Sequence, residues 1–474
     1  MTISDYCSSI DSPIFLLDAQ SETRLELALR EAISSHDPFY EGRSRESCMR
    51  WLSRKQKDWL LIFQNAQTNL LNSLFSYVPQ SNRGHVLITT SHKTYSALAP
   101  DSSFQLNGLD KDDAITSLLS ISMSKVTYET RAHAEKIVAR LENLPGPLAF
   151  AARYIHKYGG LAGYLQLYEE RQNRLLANVK SPEFNLSFTT AIQICLDSLP
   201  QRSRDLIQLL CAFNNLSIPH DMIKMAAERR FCYHAFKAED HSVVEMMDQA
   251  KCLGDILCPN GEWIEHDFDQ LTLPCIDLAL LQVSRRRTSK FYTIHKTVRA
   301  WIIEHLGNVG RYDPQQLAVR ILVSCITFGE SDEHLTYLHP LLPHIREVQK
   351  REIIAAPDLY VLAMVLHRSW DAKEASSYFE YCLQRQKDIL EETHPHRLRT
   401  MAYLASALFD DHRPEKGLEL KQKAWELQKE VLGETNRETL STLISISSLY
   451  FKMERIEEAK KLQEEVLDLQ QVLA

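Results

Sequence analysis

The sequence predicts a multidomain, mainly α protein with a partial α/β layer near its N-terminus and an α-solenoid at its C-terminal end. Three observations lead there. Glycine is scarce, at 14 of 474 residues, about 3% where roughly 7% is usual. Short unbroken apolar runs fall early in the chain, and a 42-residue period runs through its last part. Glycine serves positive-φ turns and phosphate-cradling loops, so its scarcity argues against sandwiches, propellers and enzymes with several glycine fingerprints. Leu, Glu, Gln, Lys, Arg and Ala, all strong helix formers, are abundant.

The first elements alternate. PIFLLD at 13–18 and WLLIF at 59–63 are unbroken apolar runs, and VLITT at 86–90 is β-branched. Such runs suit strands buried in a parallel sheet. Helical segments over about 21–35 and 44–57 lie between them, giving the strand–helix grammar of an α/β layer. Beyond residue 110 the pattern is helical, over about 111–124, 130–142, 147–157 and 160–179. Three helical stretches fill 188–230, broken by Pro200 and Pro219. A strand pair at 279–283 and 291–294, flanking Arg285, Arg286 and Arg287 at its tip, then suggests a winged helix. Residues 311–350 read as a helical linker punctuated by Pro340 and Pro343.

The 42-residue period relates Thr393 to Thr435, Leu398 to Leu440, Thr400 to Thr442 and Leu404 to Ile446. It also carries Ala375 to Gly417 and Ala459, and Gln386 to Gln428 and Gln470. Each unit reads as two amphipathic helices, for instance about 398–411 and 415–432, with Pro414 at a helix start where a missing N–H costs nothing. One helical hairpin cannot bury its own apolar face, so stacked neighbours must do so. The period and the phrase LGETNRETL at 432–440 resemble the tetratricopeptide repeats of kinesin light chain type, over about 355–474.

Upstream, five phrases in order resemble signal-transduction ATPases of the NB-ARC/NACHT (STAND, NLR-like) type that fungi carry with such repeats. WLLIFQNA at 59–66 is similar to the Walker B strand W-L-L-I-F-D-N-A, and RGHVLITTS at 83–91 to the sensor strand R-G-H-I-L-I-T-T-R. LPGPLA at 144–149 resembles the G-L-P-L-A turn. The stretch from Ser198 through Pro219 fits the winged-helix domain, and YTIHKTV at 292–298 resembles its histidine motif. The resemblance implies a truncated P-loop-like α/β region over 1–105, a helical domain over 106–180 and a winged-helix domain over 181–310. A linker over 311–354 and the repeats over 355–474 complete the expected organisation.

The chemistry of that family is missing from these residues. A phosphate loop needs G-x-x-x-x-G-K-[ST], and none of the 14 glycines precedes a lysine. If residues 13–18 form the family's second strand, the chain is expected to begin after the phosphate-binding unit. The magnesium-binding aspartate of the pattern is Gln64, a poor ligand for a hard cation, and the sensor arginine is Ser91. Asn65, Pro147 and His295 stand where the resemblance implies remnant nucleotide contacts. The expectation is therefore no catalysis and no cofactor, with ADP bound only if an upstream extension supplies a P-loop.

Other chemistry reads as structural. Cys252, Cys258, Cys275 and His266 lack the paired spacing of a zinc site, so the ten scattered cysteines read as free thiols in a reducing compartment. His394 and His396 fall in a turn between repeat helices. The net charge of −8 and a pI near 6.2 lack the basic footprint of a nucleic-acid binder. No basic stretch precedes an apolar core at the N-terminus, and no apolar run approaches a membrane span. A cytoplasmic location follows as the expectation.

The groove of the repeats remains as a site. With Leu398, Met401, Leu404 and Leu408 facing inward, Arg399, Tyr403, Ser406 and Asp410 fall on the groove side, with Ser445, Ser448 and Lys452 beside them. Residues 371–474 hold 20 Asp+Glu against 15 Lys+Arg, a balance that would steer a basic partner. The reading is a non-enzymatic interaction scaffold or regulator that binds a protein through this groove. Self-association is a further expectation, since a truncated sheet leaves an open edge. Two alternatives stay open: an ADP/ATP signalling switch whose P-loop lies upstream of a mis-assigned start, and transcriptional regulation through the winged helix.

Overall fold

A computed structural model describes residues 13–19, 21–34, 36–37, 45–54, 58–79, 81, 84–106, 108–176, 185–214, 217–232, 241–286, 289–326, 339–348, 351–369 and 371–471. The chain divides into two compact units, Met1–Asn107 and Gly108–Ala474.

In the first unit, strands β1 (Ile14–Asp18), β2 (Trp59–Gln64) and β3 (Gly84–Ile88) form a parallel sheet in the order β1-β2-β3. Parallel neighbours need a crossover rather than a tight turn. Helices α1 (Glu22–Ser34) and α2 (Arg45–Ser53) supply the first, and short 3-10 turns at Thr68–Leu70 and Leu74–Tyr77 lie in the second. Side chains alternate across the sheet. Phe15, Leu17, Trp59, Leu61 and Phe63 are buried with Leu25, Leu29 and Leu52 from the helices. Gly84 is dictated by its neighbour, because a Cβ there would lie 2.0 Å from the Trp59 ring. The strand expected at 86–90 thus starts two residues earlier and ends at Ile88.

The second unit begins with α3 (Lys111–Ile121), α4 (Tyr128–Arg140), α5 (Pro145–Tyr158) and α6 (Leu161–Leu176). Thr127 opens α4 with a reciprocal capping box to Thr130. Helices α7 (Leu186–Asp197), α8 (Gln201–Cys211) and α9 (His220–Glu228) follow, with Pro200 and Pro219 as the residues before α8 and α9. Strand β4 (Ile218–Pro219) is antiparallel to β6 (Ser289–Thr293), and β6 pairs in turn with β5 (Gln282–Arg286). Between them come α10 (His241–Leu257) and α11 (Glu265–Asp277).

One expected strand is displaced. The run at 279–283 is not the strand: α11 extends to Asp277, Ala279 turns the chain with φ 58°, and Leu278, Leu280 and Leu281 are buried. The apolar residues pack the helix exit into the core, and pairing starts only at Gln282. Arg285 and Arg286 consequently belong to β5 rather than to a tip, while Arg287 lies outside the described residues.

Helices α12 (Lys296–His305), α13 (Pro314–Cys325) and the short α14 (Leu342–Arg346) lead to three antiparallel hairpins. These are α15 (Ala356–Arg368) with α16 (Ala372–Ile389), α17 (Pro395–Asp410) with α18 (Pro414–Leu432), and α19 (Arg437–Lys452) with α20 (Ile456–Gln471). One hydrophobic core runs from Ala114 through to Leu408. A buried ion pair ties α13 to α15: Arg320 and Asp358 meet with side chains 1% and 4% exposed. Gly417 lets α18 approach α17, since a Cβ there would lie 2.6 Å from the Ala405 carbonyl oxygen. Among the described residues no helix is long and apolar enough to cross a membrane.

Candidate functional site

The candidate site is built from α17, α18 and α19. The apolar register fixes how α17 sits, with Leu398, Met401, Leu404 and Leu408 between 0% and 6% exposed. That orientation turns Arg399, Ala402, Tyr403 and Ser406 toward α19, which answers with Arg437, Glu438, Ser441, Thr442 and Ser445. Together with Lys421 and Gln428 of α18 they line an open recess of about 380 Å³. Each helix start is defined locally. The His394 imidazole accepts from the His396 N–H at 3.3 Å and caps α17, and the Asn436 side chain accepts from the Glu438 N–H at 2.9 Å and caps α19.

Four of the residues read from the sequence as groove positions thus meet in one recess: Arg399, Tyr403, Ser406 and Ser445. Asp410 lies outside its lining and pairs with Lys452 at 3.4 Å, and the Ser448 hydroxyl donates to the Ile444 carbonyl at 3.0 Å. Tyr403 is held by aromatic neighbours, stacked on Phe379 with centroids 6.2 Å apart and edge-on to Tyr360 at 6.0 Å. Arg399 forms an ion pair with Glu438 across the two helices.

The sequence reading did not place Lys421 or Gln428 in the groove, because they belong to α18, although the 42-residue period picks out Gln428. Their signal was present: Gly417, Leu418, Lys421, Ala424 and Gln428 make the buried stripe of that helix, and a lysine on such a stripe is unusual. Lys421 is 4% exposed, and its ammonium donates to the Ser406 hydroxyl. Burial pulls its pKa down to about 8, an effect that Asp410 opposes and Lys452 reinforces. Gln428 is 2% exposed and its Oε1 accepts no hydrogen bond.

The positions where remnant nucleotide contacts were expected are separately engaged. Asn65, in the first unit, turns the chain after β2 with φ 60°, its N–H donating to Thr89 Oγ1 at 3.1 Å. In the second unit Pro147 is buried in α5, and His295 caps α12 by accepting from the Thr297 N–H at 3.3 Å. Gln64 ends β2 with its side chain exposed, and Ser91 is exposed beyond β3. The thiol of Cys275 donates to the Ser203 carbonyl at 3.4 Å, and Cys252 and Cys258 are free. Burial raises the pKa of Cys275 to about 12. Among the described residues no group of three or more His, Cys, Asp or Glu could hold a metal ion.

Stacked helical hairpins with a 42-residue period and a lined recess define a repeat solenoid. The family model for the tetratricopeptide repeat matches residues 399–471, the part of the chain that forms α17 to α20. Tetratricopeptide repeats mediate protein–protein interactions, so an interaction role is the coarse functional statement for this segment. A search of curated proteins gives no match. Among solved structures, nearly identical TPR-like repeats of kinesin light chain type from Podosopora anserina match with 18% identity and a TM-score of 0.28, covering 37% of this chain and 82% of that one. A second structure of those repeats gives 17%, 0.28, 37% and 83%. A Signal Transduction ATPase with Numerous Domains protein with a tetratricopeptide repeat sensor, from Pyrococcus horikoshii, matches with 12% identity and a TM-score of 0.38, covering 100% of this chain and 77% of that one. At such scores the fold description rests on the elements of this chain itself.

Proposed function

We propose that this chain is a non-enzymatic interaction protein, a scaffold or regulator related to STAND-type signalling proteins, that binds a protein partner through the groove of its repeats. The observation that carries the reading is the recess between α17 and α19, where these two helices present polar side chains and a held aromatic ring above the buried Lys421 and Gln428 of α18. Stacked repeats bind extended or helical segments along such a surface. Catalysis has no part in it. Ligands of open parallel sheets sit at the carboxyl ends of the strands, and there β2 offers the neutral side chain of Gln64. A cytoplasmic location and the absence of nucleic-acid partners belong to the same reading and follow from the composition.

Site-specific photo-crosslinking in cells tests it. A photoreactive phenylalanine analogue replaces Tyr403 in the groove, or Glu419 on the exposed side of α18 as the control. The groove position should give discrete protein adducts that the control does not. Identical adduct patterns from the two positions, or none from Tyr403, would sink the reading.

A further inference from the structure

The longest run of basic residues in the chain is Arg285-Arg286-Arg287, and the groove of the repeats makes no use of it. Arg285 and Arg286 lie in β5, which is an edge of its sheet, in the order β4-β6-β5. The register fixes which backbone groups of β5 are engaged. Arg286 stands opposite Ser289, with only Arg287 and Thr288 between them in sequence. A pair that close pairs only by exchanging both of its backbone hydrogen bonds, and along an antiparallel ladder such pairs alternate with pairs that exchange none. Gln282, Ser284 and Arg286 therefore bond to β6, while Val283 and Arg285 turn their N–H and C=O groups outward. The same alternation leaves Phe291 unbonded on its β4 side, where its opposite number is Pro219, which has no N–H. Among the described residues the outward groups of Val283 and Arg285 find no backbone partner.

The charge along this edge is uncompensated. Lys290, the register partner of Arg285, is paired with Asp269. Arg285 is exposed, and among the described residues no carboxylate pairs with it. Charged residues on an edge strand ordinarily keep copies of the same chain apart. The same charges attract a strand of opposite sign. We propose that β5 takes an acidic extended segment of a partner protein as an added antiparallel strand, its backbone bonded to Val283 and Arg285 and its Asp or Glu set opposite Arg285.

Strand addition draws its affinity from backbone bonds and its specificity from alternate side chains. An antiparallel arrangement continues this sheet, in which β4, β6 and β5 are all paired that way. Val283 and Arg285 lie on one face of β5, and Val283 is apolar and 37% exposed. An antiparallel segment passes Arg285 before Val283, so it reads Glu or Asp, then any residue, then an apolar one. A nucleic-acid duplex shares the negative charge but offers no row of N–H and C=O groups at strand spacing. The edge shares no residue with the groove of the repeats and gives the chain a second contact surface.

The test uses the full chain and fluorescein-labelled, capped peptides of sequence Thr-Thr-Glu-Thr-Val-Thr, with Gln or Lys replacing Glu in the controls. Anisotropy at low salt should show the Glu peptide binding about tenfold more tightly than the Lys peptide, with the Gln peptide between them. Arg285→Glu, at an exposed position, should reverse that order. Val283→Pro removes an N–H that the sheet does not use, a replacement edge strands accept, and should abolish binding by a chain that still unfolds cooperatively. On the peptide, N-methylation of Val should abolish binding because that N–H faces β5, whereas N-methylation of the Thr between Glu and Val should leave it intact. This pair decides the matter even where Val283→Pro fails to fold. Equal affinity for the Glu and Lys peptides, binding indifferent to N-methylation at Val, or no saturable binding of the Glu peptide would each overturn the inference. So would duplex DNA that Arg285→Glu releases and the Glu peptide fails to displace, or a dimer of this chain that Val283→Pro disperses. Tyr403 adducts report on the repeats alone, so this inference and the groove reading fail separately.

Discussion

His344 is 1% exposed, its Nδ1 accepting from the Asn214 N–H at 3.1 Å and its ring edge-on to Phe213. Burial lowers its pKa to about 4, against a backbone hydrogen bond at Ser217 that raises it and with Arg299 adding to the fall. An unfolded chain takes up this proton near pH 6.5, whereas the folded one resists until about 4. The stability is therefore fully present above pH 6.5 and drains away as pH falls toward 4, by up to ~3 kcal/mol. Urea unfolding at several pH values should show that loss, and His344→Gln should flatten it; an unchanged acid limb would exclude His344 as its source. The pair of Arg320 and Asp358 makes a second prediction at this scale. Asp358→Ala leaves a guanidinium buried against α15 and should cost ~3–5 kcal/mol. Replacing both partners, by Arg320→Met with Asp358→Leu, should recover most of it, as chemical denaturation at neutral pH would show.

At the scale of elements, the hairpin of α17 and α18 depends on Gly417. In an exposed helix interior, glycine to alanine gains about 1 kcal/mol. Here the added Cβ would lie 2.6 Å from the Ala405 carbonyl oxygen and 3.1 Å from the Phe409 nitrogen. The helices must separate, and overpacking of this kind costs ~1–3 kcal/mol. Gly417→Ala should thus destabilise the chain despite its better helix propensity, and thermal unfolding gives the sign directly. This position was legible in the sequence because the period aligned it with Ala375 and Ala459. So were the three parallel strands, as short unbroken apolar or β-branched runs, and the paired helices, whose amphipathic pattern is a local property. What stayed illegible was set by tertiary contact. Leu280 and Leu281 have strand-like composition, but a helix exit buries them and β5 slides toward Arg286. Lys421 sits on the buried stripe of α18, yet only the neighbouring α17 and α19 turn that burial into the floor of a recess. No local pattern marks Arg320 and Asp358 as partners, since the pairing exists only once α13 meets α15.

At the scale of the molecule, the first unit leaves part of its sheet unsheltered. Parallel sheets are ordinarily covered on both faces. Here Leu16, Ile62 and Leu87 are register partners across the three strands; Leu16 is 57% and Leu87 37% exposed, while Ile62 between them is buried at 7%. The row ends at β3, an edge strand of the sheet, whose residues His85, Val86 and Leu87 are all exposed. Exposed apolar side chains on the outer strands of the described sheet are a template for another chain. The full chain should therefore associate reversibly as its concentration rises. Leu16→Lys together with Leu87→Lys places like charges on that row and should shift the chain to monomer in light scattering across a dilution series. Both positions are exposed enough that each substitution should leave the unfolding free energy within about 0.5 kcal/mol of its original value. Association that persists unchanged in the doubly substituted chain would move its cause to another surface, and a large loss of stability would show that the two leucines are covered rather than open.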